Sequence, residues 1–538
     1  MQLPVVVMSS PLLFLVPCLV FLGVSMARPE DTIWWCNQTP HPDPCAYFVN
    51  HSRSNHQVPR SRFDFRKIIV QVTIERALMA QKQVNHFRPE NGSRRQEAVW
   101  ADCMKLHDNT VFQLNRTLEG LAGPNQTCSD FDIQTWLSTA LTNIETCRMG
   151  SRDLNVSDTM ITPATSANLS QLISNSLAVN GALLGGPGNS TGVDGVGAPE
   201  GEEFPSWVTL RDRGLLQTSG VRANLVVAKD GSGQFRTVQA AINVAARRWS
   251  TSSRFVIYVK RGVYAENVEV GFNNNNIMLI GDGMRNTIIT GSRSVRQGYT
   301  TYSSATFGID GLRFMARGIT FRNGAGPYRG QAVALRSASD LSVFYRCAFE
   351  GYQDTLFVHS QRQFYRECYI YGTIDFIFGN AAVVFQNCII SVRRPLNGQA
   401  NVITAQGRND PYQNTGISIH NSRVMAAADL RPFVGSIKTY LGRPWQMYSR
   451  TVYMKTYLDW LVSPTGWSTW DGSGYALDTL YYGEYQNFGP RASTSYRVRW
   501  KGFHAITSAA VASRFTVNGL IAGKSWLPST GVPFASGL

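Results

Sequence analysis

The segments Phe344-Tyr345-Arg346-Cys347, Phe364-Tyr365-Arg366-Glu367-Cys368 and Val384-Phe385-Gln386-Asn387-Cys388 align on their cysteines, which step by 21 and then 20 residues. A period of that length, rich in β-branched and aromatic residues and broken by Gly and Asn, predicts a solenoid in which each repeat is one turn of a parallel β-helix. A β-sandwich has similar short strands but no reason to keep such a ladder. Residues one turn apart lie one strand spacing apart, about 4.7 to 4.9 Å. The same step separates Asp354, in Gly351-Tyr352-Gln353-Asp354-Thr355-Leu356, from Asp375, in Asp375-Phe376-Ile377-Phe378-Gly379-Asn380. The ladder therefore stacks two carboxylates.

Like charges at that distance rarely both ionise, so one aspartate is pushed toward its protonated form. A proton donor beside an anion in one cleft serves acyl or glycosyl transfer. A single Asp in such a sequence is more often a corner residue that holds a turn. The paired register and the neighbouring glutamines tip the balance toward chemistry.

At 538 residues the chain exceeds one ordinary domain. An apolar run from Pro11 to Val24 and the small-residue exit Ser25-Met26-Ala27 read as a secretory signal over residues 1–27, with an uncleaved anchor as the lesser alternative. No other segment is long and apolar enough to span a bilayer, so stable membrane insertion is not expected. Sequons at Asn37, Asn50, Asn91, Asn115, Asn125, Asn155, Asn168 and Asn189 agree with a secreted glycoprotein, and none lies further on. The net charge is +15, and its excess of cations lies behind Gln217. A cationic secreted module prefers polyanions. With no zinc-finger spacing, RNP-like strand or Lys/Arg run, nucleic acid is not the expected partner, and an acidic polysaccharide is.

The front of the chain is helical. Ser129 or Asp130 can cap a helix whose Ile133, Trp136, Leu137, Ala140, Leu141, Ile144 and Cys147 share one face. A second stripe runs through Val99, Cys103, Leu106, Leu114, Leu118 and Leu121, and weaker ones run from Phe65 to Met79 and from Leu169 to Leu184. Four such helices with short loops make an up-and-down bundle. Bridges Cys36–Cys45 and Cys103–Cys147 would staple it and leave Cys128 over. His41, His51, His56, His86 and His107 keep no ligand spacing, so neither metal nor catalysis is expected here.

The Cys36/Cys45 pair, with Thr135-Trp136-Leu137-Ser138-Thr139-Ala140-Leu141-Thr142-Asn143 leading into Cys147, resembles the invertase and pectin methylesterase inhibitor family over roughly residues 30 to 184. The resemblance implies a domain, residues 28–184, that binds a partner, and the obvious partner is the domain behind it. Residues 185–216 are rich in Gly, Pro, Ser and Thr, a linker. It ends in Arg211-Asp212-Arg213-Gly214-Leu215-Leu216, a basic pair open to a processing protease. The two-domain proteins that this chain resembles are cut at a dibasic-Leu-Leu site here, and Gly214 departs from that pattern.

The rear domain, residues 217–538, is expected to be a right-handed parallel β-helix, with strands such as Phe255–Val259, Ile277–Gly281 and Ile417–His420 and a capping helix from Val238 to Arg247. Gly262-Val263-Tyr264-Ala265-Glu266, Gln331-Ala332-Val333-Ala334-Leu335, the two aspartate segments and Leu441-Gly442-Arg443-Pro444-Trp445 resemble, in order, the motifs of plant pectin methylesterases. The resemblance implies hydrolysis of methyl-esterified galacturonan in the cell wall, with no metal or cofactor. Asp375 is the implied nucleophile, Asp354 the acid and then base, Gln331 and Gln353 the oxyanion donors. Arg443 pairs with Asp375, and Thr301, Gln331, Arg443 and Trp445 contact substrate. Tyr302, Phe378 and Trp467 are weaker candidates for the groove. Cys347, Cys368 and Cys388 occupy successive rungs, so Cys368 can pair with either neighbour. The family pattern implies Cys368–Cys388.

Two other readings compete. A polygalacturonase or pectate lyase uses a β-helix too. Inverting hydrolysis, however, needs carboxylates about 6.5 to 9.5 Å apart, wider than one rung, and a lyase needs a cluster of acids around calcium. The chain can also be a non-enzymatic inhibitor or wall-binding protein with a degenerate β-helix. Intact Asp354, Asp375, Gln331, Gln353 and Arg443 argue against that.

Overall fold

The structure, a computed structural model, describes residues 32–54, 56–89, 92–122, 128–156, 163–184, 223–248 and 253–538. The signal expected over residues 1–27 and the linker and protease site expected over residues 185–216 lie outside the described residues.

Helices α1 (Thr32–Cys36), α2 (Pro42–Asn50), α3 (Arg62–His86), α4 (Arg94–Ala122), α5 (Asp130–Asp153) and α6 (Pro163–Leu184) form the front domain. The four long stripes each become a helix, and α1 and α2 were not legible because the Pro-rich stretch around them masks any period. Ser129 is the cap of α5: its hydroxyl accepts from the Asp132 amide while the Asp132 carboxylate accepts from the Ser129 amide, a full capping box. Cys36–Cys45 and Cys103–Cys147 are disulfides, and Cys128 takes part in neither.

On α5 the apolar face is where the spacing puts it, against Ile74, Leu114 and Leu177. The opposite side is also buried, although it carries Thr135, Ser138, Thr142 and Thr146. A helix in a solvated bundle exposes such a face. This one is covered because it lies along the rear domain.

The rear domain is a parallel β-helix: three sheets of eleven, seven and eight strands, with every pairing between strands parallel. The repeat legible in the sequence is one rung per coil, for Phe344 pairs with Tyr365 and Tyr365 with Phe385. Their rings stack inside the coil, each step 4.6 Å between centroids. Strands Phe255–Val259 and Ile277–Gly281 form as expected, and the capping helix spans Val238–Ala246. The last strand is Phe503–Ala505; beyond it the chain leaves the coil, and Val517, Leu520, Trp526 and Leu527 pack on Val343, Phe364 and Val384 of the eleven-stranded sheet.

One corner of the coil has a fixed form. Between the eleven-stranded and the eight-stranded sheet only two residues intervene in successive coils: 318–319, 346–347, 367–368, 387–388, 421–422 and 455–456. The first of each pair is left-handed, with φ from 47° to 65°: Gly318, Arg346, Glu367, Asn387, Asn421 and Lys455. The second is buried, and in the central coils it is Cys347, Cys368 and Cys388.

These three cysteines are free thiols, which corrects the expected Cys368–Cys388 bridge. Stacked residues of a parallel ladder point the same way instead of facing one another. The Cys368 thiol donates to the Phe344 carbonyl at 3.3 Å and the Cys388 thiol to the Tyr365 carbonyl at 3.5 Å, so each is satisfied by the preceding coil.

Candidate active site

The seven-stranded sheet carries the site. Its strands are β1 (Val268–Val270), β2 (Phe307–Ile309), β3 (Leu335–Ser337), β4 (Leu356–Val358), β5 (Ile374–Gly379), β6 (Asn401–Gln406) and β7 (Thr439–Gly442), stacked in that order. Leu356 of β4 pairs with Ile377 of β5, which sets Asp354 and Asp375 at equivalent places two residues upstream. The Asp354 amide donates to the Ile374 carbonyl at 3.0 Å. Both aspartates are left-handed, with φ of 59° and 50°.

Arg443, just past β7, makes a two-pronged contact with Asp375: Nε donates to Oδ1 at 2.9 Å and Nη2 to Oδ2 at 2.5 Å. Its guanidinium lies 4.3 Å from the Trp470 ring centre, and Nη1 donates to the Trp470 carbonyl. Asp354 has no such clamp. Burial, then the neighbouring Asp375 and Asp153 charges, hold its carboxyl well above the usual range. Burial raises Asp375 too, but Arg443 opposes the rise by charge and hydrogen bonds. The proton of the pair thus belongs on Asp354 and the negative charge on Asp375.

Gln331 and Gln353 stand on adjacent coils, since the Ala332 amide donates to the Gln353 carbonyl at 3.3 Å, and both are partly exposed. The Gln331 carbonyl also accepts from Val295. Trp445 packs its edge toward Phe357 and Phe378, whose rings stack 4.3 Å apart, so the three aromatics form one cluster. Gly407 lets the Trp445 ring lie so close, for a Cβ there would stand 2.7 Å from it. Tyr302 meets the edge of Phe357. Trp467 is not in the groove: it stacks on Tyr482 inside the coil and its indole N–H donates to Glu484.

The helical domain sits on this cleft. Thr301 does not face open space; its amide donates to the Asp153 carboxylate of α5 at 3.0 Å. Asp153 is also close enough to raise Asp354. Gly150 of α5 brings the helix backbone against Thr300, whose hydroxyl bonds the Asp102 carboxylate of α4. Burial raises Asp102 to about 6. Along α5, Thr146 shares a hydrogen bond with His359 at 2.9 Å, Thr142 accepts from Asn380 at 2.8 Å, and Thr135 accepts from Asn414 at 3.0 Å. Leu106, Leu154 and the Cys103–Cys147 bridge pack toward Tyr302, Phe357 and Phe378. His359 and Asn380 are contacts that sequence reasoning missed; each lies two residues past a cleft phenylalanine on its strand, the alternation that could have found them.

Residues 224–524 match the pectinesterase family profile, and residues 32–179 match that of plant invertase/pectin methylesterase inhibitors. The chain belongs to the pectinesterase family. It is a carboxylic ester hydrolase with an inhibitor-type domain in front, and the match favours this over a lyase, a polygalacturonase or a binding protein. Among similar proteins, the probable pectinesterase/pectinesterase inhibitor 59 of Arabidopsis thaliana is 62% identical, over 94% of this chain and 93% of its own length. Pectinesterase 2 of Citrus sinensis is 53% identical over 95% of each. The solved pectin methylesterase from carrot is 56% identical and covers 60% of this chain and all of its own, with a TM-score of 0.58. Pectinesterases of plants act on cell-wall pectin.

Proposed function

We propose that this pectinesterase hydrolyses galacturonate methyl esters through an aspartyl acyl-enzyme at Asp375. The observation that carries the reading is the asymmetry of the stacked pair, with Asp375 clamped by Arg443 and Asp354 held protonated. The Asp375 carboxylate attacks the ester carbonyl, and its electron pair moves onto the carbonyl oxygen. The amide N–H groups of Gln331 and Gln353 stabilise that oxyanion. Collapse of the intermediate breaks the bond to methoxide, which leaves as methanol with the Asp354 proton. Asp354, now ionised, takes a proton from water, the hydroxide attacks the anhydride, and the galacturonic acid departs and loses its remaining proton to solvent. Asp375 is regenerated as the anion and Asp354 as the acid. Thr301 and Trp445 hold the polymer in the cleft.

The helical domain acts as an inhibitory pro-region, because α5 fills the approach to Asp354 and its Asp153 occupies the Thr301 amide. Secretion to the cell wall, removal of residues 1–27, glycosylation of the front domain and cutting near Arg213 complete the reading, with domains at 28–184 and 217–538 and separate inhibitor proteins as further partners. Asp375→Asn tests the chemistry: methanol release from highly methyl-esterified pectin, measured after separation from the helical domain, should fall by at least about 10⁴-fold with folding unchanged. Retention of most activity would sink the mechanism.

A further inference from the structure

At the contact between the two domains lies a cluster of charges that the rear domain leaves electrically incomplete on its own. On successive strands β1, β2 and β3, Glu269, Gly308 and Arg336 share one register position. A Cβ on Gly308 would stand 2.5 Å from both Glu269 Oε1 and Arg336 Nη2, so the glycine is the gap across which those two side chains meet. Arg336 Nη2 donates to Glu269 Oε2 at 3.0 Å, and Nη1 donates to Asp310 Oδ1 at 2.9 Å. The Tyr302 ring closes the site from one side, its centre 3.8 Å from the Arg336 guanidinium. Asp310 and Arg336 are fully buried, while Glu269 is 46% exposed at the rim.

Two carboxylates thus surround one guanidinium. The second oxygen of Asp310 faces the helical domain, and a buried carboxylate calls for a further cation. Lys105 of α4 supplies it: its Nζ lies 2.7 Å from Asp310 Oδ2, 2.9 Å from Glu269 Oε2 and 5.6 Å from the Tyr302 ring centre. Lys105 is two residues beyond Cys103, whose bridge to Cys147 ties α4 to α5, so the ammonium is delivered at a fixed position relative to the cleft-filling helix.

We propose that Glu269, Asp310 and Arg336 form a lysine socket by which the catalytic domain selects its helical partner. The partner that fits is an inhibitor-type bundle with a lysine two residues after the cystine of its second long helix: Lys105 within this chain, and the equivalent lysine of a separate inhibitor once the pro-region has left. A bundle with an acidic or apolar residue there is refused, because it buries Asp310 without its second cation. The inference builds on the inhibitory reading of the front domain but is decided by binding, so the two can fail separately.

The test uses the full chain carrying a specific protease site inserted between residues 198 and 200. After cutting, dissociation of the two parts is measured alongside methanol release before and after cutting. Lys105→Met and Glu269→Gln should each weaken association at least about tenfold. The double variant should be little weaker than Lys105→Met alone, because that change already removes the pair with Glu269. Lys105→Arg should recover part of the loss. Glu269→Gln lies on the other domain, so it decides the matter should Lys105→Met misfold. Dissociation within twofold of the parent in both single variants, or strictly multiplicative losses in the double one, overturns the socket. A parent chain equally active before and after cutting overturns the inhibitory reading, while the dissociation constants still judge the socket.

Discussion

The β-helix and the helical bundle bury their side chains for different ends. Each coil closes its own interior, as where Phe344, Tyr365 and Phe385 stack on one another. The bundle closes only one side of α5 by itself. The other side, Thr135 to Thr146, finds its polar partners on the rear domain. A polar face that is buried in the full chain therefore marks which domain was shaped around the other. The bundle is complete only as half of a contact.

That contrast can be broken most strongly inside the coil. Phe344→Ala removes a ring from a continuous stack and should cost about 3 to 5 kcal/mol. In denaturant the rear domain should melt earlier while the bundle's transition stays in place; a joint shift of both would show that the domains fold as one unit.

Acidity should act on the contact and not on the coil. Asp102 at the contact is raised from 3.8 to about 6, so the assembled form binds its proton more tightly than the separated bundle does. The stabilisation that comes with this proton is complete below about pH 4 and is lost as pH rises through 6, by up to about a hundredfold in the dissociation constant. Asp153, raised by burial, acts in the same direction. In Asp102→Asn the cut chain should show a flatter pH dependence of dissociation; an unchanged profile would move the effect to Asp153.

The smallest of these effects concerns the hydroxyls. Thr142→Val with Thr146→Val leaves Asn380 and His359 without those partners, at about 1 to 3 kcal/mol for each buried group left unsatisfied. Association should weaken while the bundle's own melting temperature holds, since both hydroxyls still have only α5 carbonyls to bond within the bundle; that of Thr146 bonds Thr142 at 2.8 Å. A lower melting temperature of the separated bundle would mean that these threonines serve its fold.

Much of this was legible in the sequence wherever a residue's role depends on its own repeat. The ladder through Cys347, Cys368 and Cys388 foretold the rungs, and the aspartate step foretold the stacked pair. Ser129 foretold the start of α5. Contacts between distant segments were not legible. Trp467 sits in a Gly-rich stretch that looks like a loop, yet Tyr453 and Tyr482 on neighbouring strands enclose it. The family resemblance implied a Cys368–Cys388 bridge, and the spacing could not test it, since it gives the separation of Cα atoms but not the direction of the side chains. Lys105, one basic residue on an amphipathic helix, carries no local sign of the carboxylates it meets.

The two-residue corner has a consequence for how such a chain can change its length. From Gly318 to Lys455 it never gains or loses a residue, while the step between corners falls from 28 residues to 21 and 20 and then rises to 34 and 34. The added chain emerges on either side of the catalytic sheet, as residues 324–334, 393–400, 407–415, 427–438 and 443–449, the last carrying Arg443 and Trp445. The corner acts as a spine from which variation is exported in one direction only, so that insertions accumulate where they can reshape the groove and nowhere that would unseat the turns beneath it.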